Sequence, residues 1–115
     1  LGHLTEIMTA SALDAEIFWS QIPKLPNLER YVDEDCVPGG TGRNYASIAQ
    51  HLPALSDTQR AILCDPQTSG GLLVTVEPEA VDEVAAILEG AGLPLNQIGR
   101  LSQQLNEKAT LKLSD

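Results

Sequence analysis

Residues 63–76, LCDPQTSGGLLVTV, change character abruptly at their middle. Cys64-Asp65-Pro66-Gln67-Thr68-Ser69-Gly70-Gly71 is small, polar and rich in turn formers. Leu72-Leu73-Val74-Thr75-Val76 is an almost unbroken apolar run with β-branching at Val74, Thr75 and Val76. Such a run predicts a strand buried on both faces, and hence the centre of a sheet. Pro66 fixes its own φ and biases Asp65 toward extended backbone. Gly70 and Gly71 let another backbone or a ligand come close. A stiff polar loop thus leads into a core strand, either as a tight strand entry or as a site carried on a rigid scaffold.

The rest of the chain supplies helices and short strands to pack around that run. Leu4, Ile7 and Met8 at helical spacing predict a helix over 1–11. Residues 15–19 (AEIFW) suit a strand, and Pro23 and Pro26 mark a connection. Asn27 caps a short predicted helix over 28–34. Three glycines, Gly39, Gly40 and Gly42, follow within four residues. Tyr45, Ile48, Ala49 and Leu52 then fall at i, i+3, i+4 and i+7, which predicts a helix over 43–51. This loop lacks the Lys-Ser/Thr of a P-loop and the spacing of a dinucleotide fingerprint. It does present backbone N–H groups and Arg43 at a helix start, an arrangement that favours an anion. Glycines that serve only the backbone geometry are the other reading.

Ser56-Asp57-Thr58-Gln59 matches a capping box and predicts a helix over 57–63. Pro78 suits the first residue of a helix whose apolar stripe is Val81, Val84, Ala85 and Leu88, with Gly90 and Gly92 as its stop. Residues 97–101 and 109–113 read as two short strands around a turn at Asn106-Glu107-Lys108. The expected fold class is α+β, with helices packed on a mixed sheet whose central strand is 72–76.

A length of 115 residues suits one domain with a single core. Seven basic against sixteen acidic residues leave a formal charge of −9, which disfavours nucleic acid and anionic membrane surfaces as partners. No run reaches membrane-span length and no signal peptide opens the chain. The two cysteines, Cys36 and Cys64, and the two histidines, His3 and His51, have no zinc-finger spacing. Free thiols in a reducing, cytoplasmic compartment are the expectation. Asp33-Glu34-Asp35 beside Cys36 works against a thiolate nucleophile there.

CDPQTSGGLL resembles the signature near the C-terminus of selenophosphate synthetases, also called selenide, water dikinases. Leu1-Gly2-His3-Leu4 resembles the end of that family's DVTGFGLLGHL segment. Val37-Pro38-Gly39-Gly40-Thr41-Gly42-Arg43-Asn44 resembles its VPGGT-x-RN segment, and Ile98-Gly99-Arg100-Leu101 its late IG strand. The resemblance spans 1 to about 113.

That resemblance implies the C-terminal domain of an ATP-using synthetase of the aminoimidazole ribonucleotide synthetase superfamily. The implied reaction converts ATP, selenide and water to selenophosphate, AMP and phosphate. ATP and magnesium are implied at the junction with an N-terminal ATP-binding domain, which would also build a homodimer. The family's nucleophilic Cys or selenocysteine, its Lys and most of its metal-binding Asp residues belong to that other domain. No catalytic residue and no metal ligand is therefore assigned here. The chain alone is expected to be inert, and monomeric or weakly dimeric. The candidate substrate- or phosphate-facing residues are Gly39, Gly40, Thr41, Arg43 and Asn44 in one loop and Gln67, Thr68, Ser69, Gly70 and Gly71 in the other. Both loops are expected on one side of the domain. A stand-alone binding or regulatory module of the same fold, without catalysis, is the alternative.

Overall fold

The computed structural model describes residues 1–93 and 96–115. In chain order the elements are α1 (Gly2–Ser11), β1 (Leu13–Phe18), α2 (Leu28–Asp33), α3 (Thr41–Ile48), α4 (Asp57–Leu63), α5 (Val81–Gly90), β2 (Gly99–Gln103) and β3 (Leu111–Ser114). Short 3-10 turns follow β1 and α3, and a third, Pro78–Ala80, runs into α5. The sheet is mixed, with order β2-β1-β3: β1 pairs antiparallel with β2 and parallel with β3. The α+β expectation holds.

The identity of the central strand does not. Residues 72–76 belong to no helix or strand and join no strand ladder. Leu72 is 89% exposed and Val74 54% exposed. The central strand is β1, whose sequence LDAEIF alternates instead of running apolar. The physical reason lies in the number of covered faces. A strand needs a continuous apolar run only where both faces of its sheet are buried. Here α1 covers one face, and Ala15 and Ile17 of β1 meet Leu4 and Met8 of α1 together with Ala109 and Leu111. Asp14 and Glu16 project to the other face and are satisfied by polar partners. Period-two alternation was the correct sign of the central strand.

Met8 is completely buried, a burial that contributes about 1.5–3 kcal/mol. α1 ends where Ala12 turns left-handed, at φ 52, and donates to the carbonyls of Thr9 and Met8. Asp14 fastens the connection between β2 and β3. Its carboxylate accepts from the Thr110 amide at 2.7 Å, the Thr110 hydroxyl at 3.0 Å and the Leu105 amide at 3.1 Å. Those bonds, led by the Thr110 amide, hold its pKa below the ordinary aspartate value. Nδ1 of His51 sits 2.8 Å from the Ala109 carbonyl. A carbonyl only accepts, so Nδ1 carries the proton there.

The predicted helices are present with shifted edges. Trp19 lies in a 3-10 turn and not in the strand. Asn27 precedes α2 in a left-handed conformation, φ 63, but its side chain caps nothing. The helix after the Gly-rich loop starts at Thr41, so Arg43 is inside it. The α4 bounds and its capping box agree with expectation: Ser56 Oγ accepts from the Gln59 amide at 3.1 Å, and the Ser56 amide donates to Gln59 Oε1 at 2.9 Å. α5 ends at Gly90, and Gly92 beyond it has φ +69. No residue of α5 is buried, the stripe included.

Candidate functional site

The two candidate loops meet through Gly40 and Pro66. A Cβ placed on Gly40 would lie 3.0 Å from Pro66 Cγ and 3.8 Å from Nη2 of Arg43. Only a glycine leaves the pyrrolidine ring room to approach this closely. A second tie runs from Asn44, whose Nδ2 donates to the Cys64 carbonyl at 3.0 Å. The start of α3 and the exit of α4 are thereby clamped together, with Pro66 between them.

The candidate residues then separate by what their side chains do. Asn44 is engaged in the clamp. Thr41 is only 5% exposed, its amide donates to the Pro38 carbonyl at 3.0 Å, and its buried Oγ1 has no hydrogen-bond partner among the described residues. Gly39, Arg43, Gln67, Thr68, Ser69, Gly70 and Gly71 are exposed. Gly70 is folded against its own loop, since a Cβ there would meet Gln67 Oε1 at 2.7 Å. Gly71 has neither a positive φ nor a close neighbour, so its backbone is unstrained.

The surface that remains available is the amino end of α3. The amide of Asn44 returns to the Gly40 carbonyl at 3.0 Å. The amides of Gly42 and Arg43 meet no backbone carbonyl among the described residues, as expected for a first helical turn without a side-chain cap. With the exposed guanidinium of Arg43 they make a donor set suited to phosphate oxygens. Among the described residues no group of three or more His, Cys, Asp or Glu could hold a metal ion.

Sequence reading missed Pro66 and the Cys64 carbonyl as the joint between the loops. The signal was a Gly pair in one loop and a proline in the other, but contact between them is a tertiary fact. Cys64 itself is buried, and burial pushes its thiol pKa up, which removes it as a nucleophile. Cys36 is free and exposed.

A second polar surface lies on the open face of the sheet. Glu16 stands between Lys112 Nζ at 3.0 Å and Arg100 Nη2 at 2.6 Å. Hydrogen bonds from Lys112, then from Arg100, draw its pKa from 4.5 down to about 2. These two cations already have a carboxylate partner, so this face is a weak anion receptor. It shares no residue with the clamped loops. Among the described residues, no helix is long and apolar enough to cross a membrane.

Comparison with known proteins gives these observations a family. Residues 1–112 match the family described as AIR synthase related protein, C-terminal domain. The selenide, water dikinase of Photorhabdus laumondii is 46% identical over 115 residues, which is all of this chain and 33% of that protein. Its counterpart in Pseudomonas putida is 48% identical over 104 residues, 90% of this chain and 30% of that protein. The counterpart in Haemophilus influenzae is 48% identical over 101 residues, 88% of this chain and 29% of that protein. The chain thus spans about a third of the length of these relatives. With a family model matching residues 1–112, the chain belongs to the AIR synthase related family of C-terminal domains.

Proposed function

We propose that this chain is the C-terminal domain of a selenide, water dikinase, an ATP-dependent phosphotransferase that makes selenophosphate from selenide, ATP and water. The observation that carries the reading is the match of the whole chain, at 46% identity, to a third of a protein of that name. ATP, magnesium, the nucleophile and the dimer contact then belong mainly to an N-terminal ATP-binding domain of the same polypeptide. The protein is cytoplasmic in this reading, a setting that two free cysteines suit.

Within that enzyme the clamped loops face the ATP-binding half and close over its phosphate end. The Gly42 and Arg43 amides and the Arg43 guanidinium donate to phosphate or selenophosphate oxygen. Thr68 and Ser69 add neutral donors. Charge stabilisation by preorganised donors is what phosphoryl transfer requires of a protein. Isolated from the other half, the domain is inert and at most weakly dimeric.

The test is AMP release from ATP with selenide and magnesium, with selenophosphate followed by phosphorus NMR, in the full-length protein. Selenide-independent hydrolysis, or no turnover, defeats the reading. Arg43→Ala lowers kcat/KM roughly 10- to 100-fold if its charged hydrogen bonds are lost, at about 1.5–3 kcal/mol. An unchanged kcat/KM removes Arg43 from the site. Because Gly71 is unstrained, Gly71→Val is expected to reduce activity while the melting temperature stays put.

A further inference from the structure

The end of α4 cannot satisfy its own last carbonyl. The helix stops at Leu63, and Cys64 is its C-cap at φ −108. Helices commonly close with a left-handed residue just past the cap, so that the next N–H groups return to the last turn. That closure is absent here. Asp65 has no positive φ, and Pro66 has no N–H to give. Cys64 is buried, and a carbonyl turned from water needs a partner. The donor comes from another helix: Nδ2 of Asn44 lies 3.0 Å from the Cys64 carbonyl. A carbonyl only accepts, so this bond also fixes which way the Asn44 amide is turned.

Asn44 is firmly seated to do this. It lies in the first turn of α3, where its own amide donates to the Gly40 carbonyl at 3.0 Å and its carbonyl accepts from the Ser47 hydroxyl at 2.7 Å. The neighbouring contact between the loops is of a different kind. Pro66 packs so closely on Gly40 that a Cβ there would lie 3.0 Å from Pro66 Cγ. Such packing limits how near the two segments come, whereas the Asn44 bond limits how far apart they drift. One turn back along α4 the Arg60 guanidinium lies 5.5 Å from the centre of the Tyr45 ring. The helix pair therefore keeps a tie of its own, and the Asn44 bond governs the loop exit.

We propose that Asn44 is a positioning residue: by holding the Cys64 carbonyl it sets the direction in which residues 65–71 leave α4, and so the placement of Thr68 and Ser69 relative to Arg43. Its amide serves the scaffold, while Arg43 beside it serves the ligand. The inference deepens the reading that the two loops share the phosphate end of the site, and rests on it.

Asn44→Ala in the full-length protein is the test. Asn44 is exposed and alanine is the better helix former, so the change leaves no cavity and does not weaken α3. The melting temperature should hold while kcat for selenide-dependent AMP release falls roughly 10- to 100-fold, as when reacting groups are misplaced by about 1 Å. A lower melting temperature with kcat unchanged overturns the proposal. Combined with Thr68→Ala and Ser69→Ala, the loss should fall well short of the product of the separate losses, because Asn44 acts through that loop. Losses that multiply overturn it as well.

Limited proteolysis reads the same bond without turnover. Losing one hydrogen bond of ordinary strength raises the open population about 5-fold. Cleavage within 65–71 should quicken by about that factor in Asn44→Ala and in Asn44→Asp, which keeps the shape and loses the donor. Unchanged cleavage elsewhere shows that neither variant has unfolded. Unchanged cleavage within 65–71 overturns the proposal. Should the unmodified protein lack selenide-dependent turnover, the phosphate-end reading falls, and the cleavage rates alone uphold or overturn the hold of Asn44 on the loop.

Discussion

Met8 and Leu72 are both large apolar side chains, yet one is 0% and the other 89% exposed. Met8 belongs to a region where α1 lies on β1 and β3, with Leu4, Ala15, Ile17 and Leu111 around it. Leu72 belongs to the 71–93 region, where the turn at 78–80 and α5 bury no residue at all. Apolar content does not separate the two regions, since residues 72–76 are more apolar than β1. Pairing separates them. β1 has a strand on each side and a helix above it, and its polar residues find Thr110, Lys112 and Arg100 across the sheet. Hydrophobic residues stabilise a fold only where the topology supplies a partner surface.

Truncation inside the packed region breaks the comparison hardest. Met8→Ala leaves a cavity among side chains held by helix and sheet together, and is expected to cost about 2–5 kcal/mol. Urea denaturation followed by tryptophan fluorescence measures it. A loss below about 1 kcal/mol would mean that α1 rides loosely on the sheet, and the two regions would no longer differ in kind.

Ser56→Ala probes the joint between them at about 1 kcal/mol. It removes the acceptor for the Gln59 amide at the start of α4, the helix whose exit carries Cys64 and Pro66. A loss of stability with no change at the candidate site would show that the clamp of Asn44 on Cys64 holds without the cap. This element also shows what was legible in the sequence. The capping box, the α4 bounds and the Gly92 stop are local, each decided by residues within a few positions of one another, and each matches the structure. The β2-β1-β3 order depends on Leu13 finding Gln103 and Ala15 finding Leu111, a choice made across most of the chain. No local pattern encodes it, and so the apolar run at 72–76 was mistaken for the centre. The 67–71 loop was legible as a loop, whereas Thr41, Arg43 and Asn44 fall in the first turn of α3. That Thr41 is buried and Asn44 ties to the Cys64 carbonyl, leaving the Arg43 side chain free in solvent, was not.

The pH dependence of stability sharpens the comparison further. Glu16 in the packed region has its pKa drawn down from 4.5 to about 2 by Lys112 and Arg100. A depressed folded-state pKa stabilises the fold above the unfolded value and loses that contribution as pH falls. Denaturation midpoints should therefore fall between about pH 4.5 and pH 2, and Glu16→Gln should flatten that part of the profile. Asp14, whose pKa is also lowered, adds a slope of the same sign. A Glu16→Gln profile as steep as the original would assign the acid sensitivity elsewhere.

The smallest effect is expected at Ile87, and it is the cleanest control on the 71–93 region. Ile87 is 63% exposed on α5. At 100° per residue it lies well away from the direction shared by Val84, Ala85 and Leu88, so it projects to water whether or not that stripe finds a surface. Isoleucine and serine have similar helix propensities. Ile87→Ser should then change the unfolding free energy by no more than about 0.5 kcal/mol, against several for Met8→Ala. A cost near that of Met8→Ala would mean that the outer face of α5 is itself packed, and α5 would then belong with α1 as a core helix.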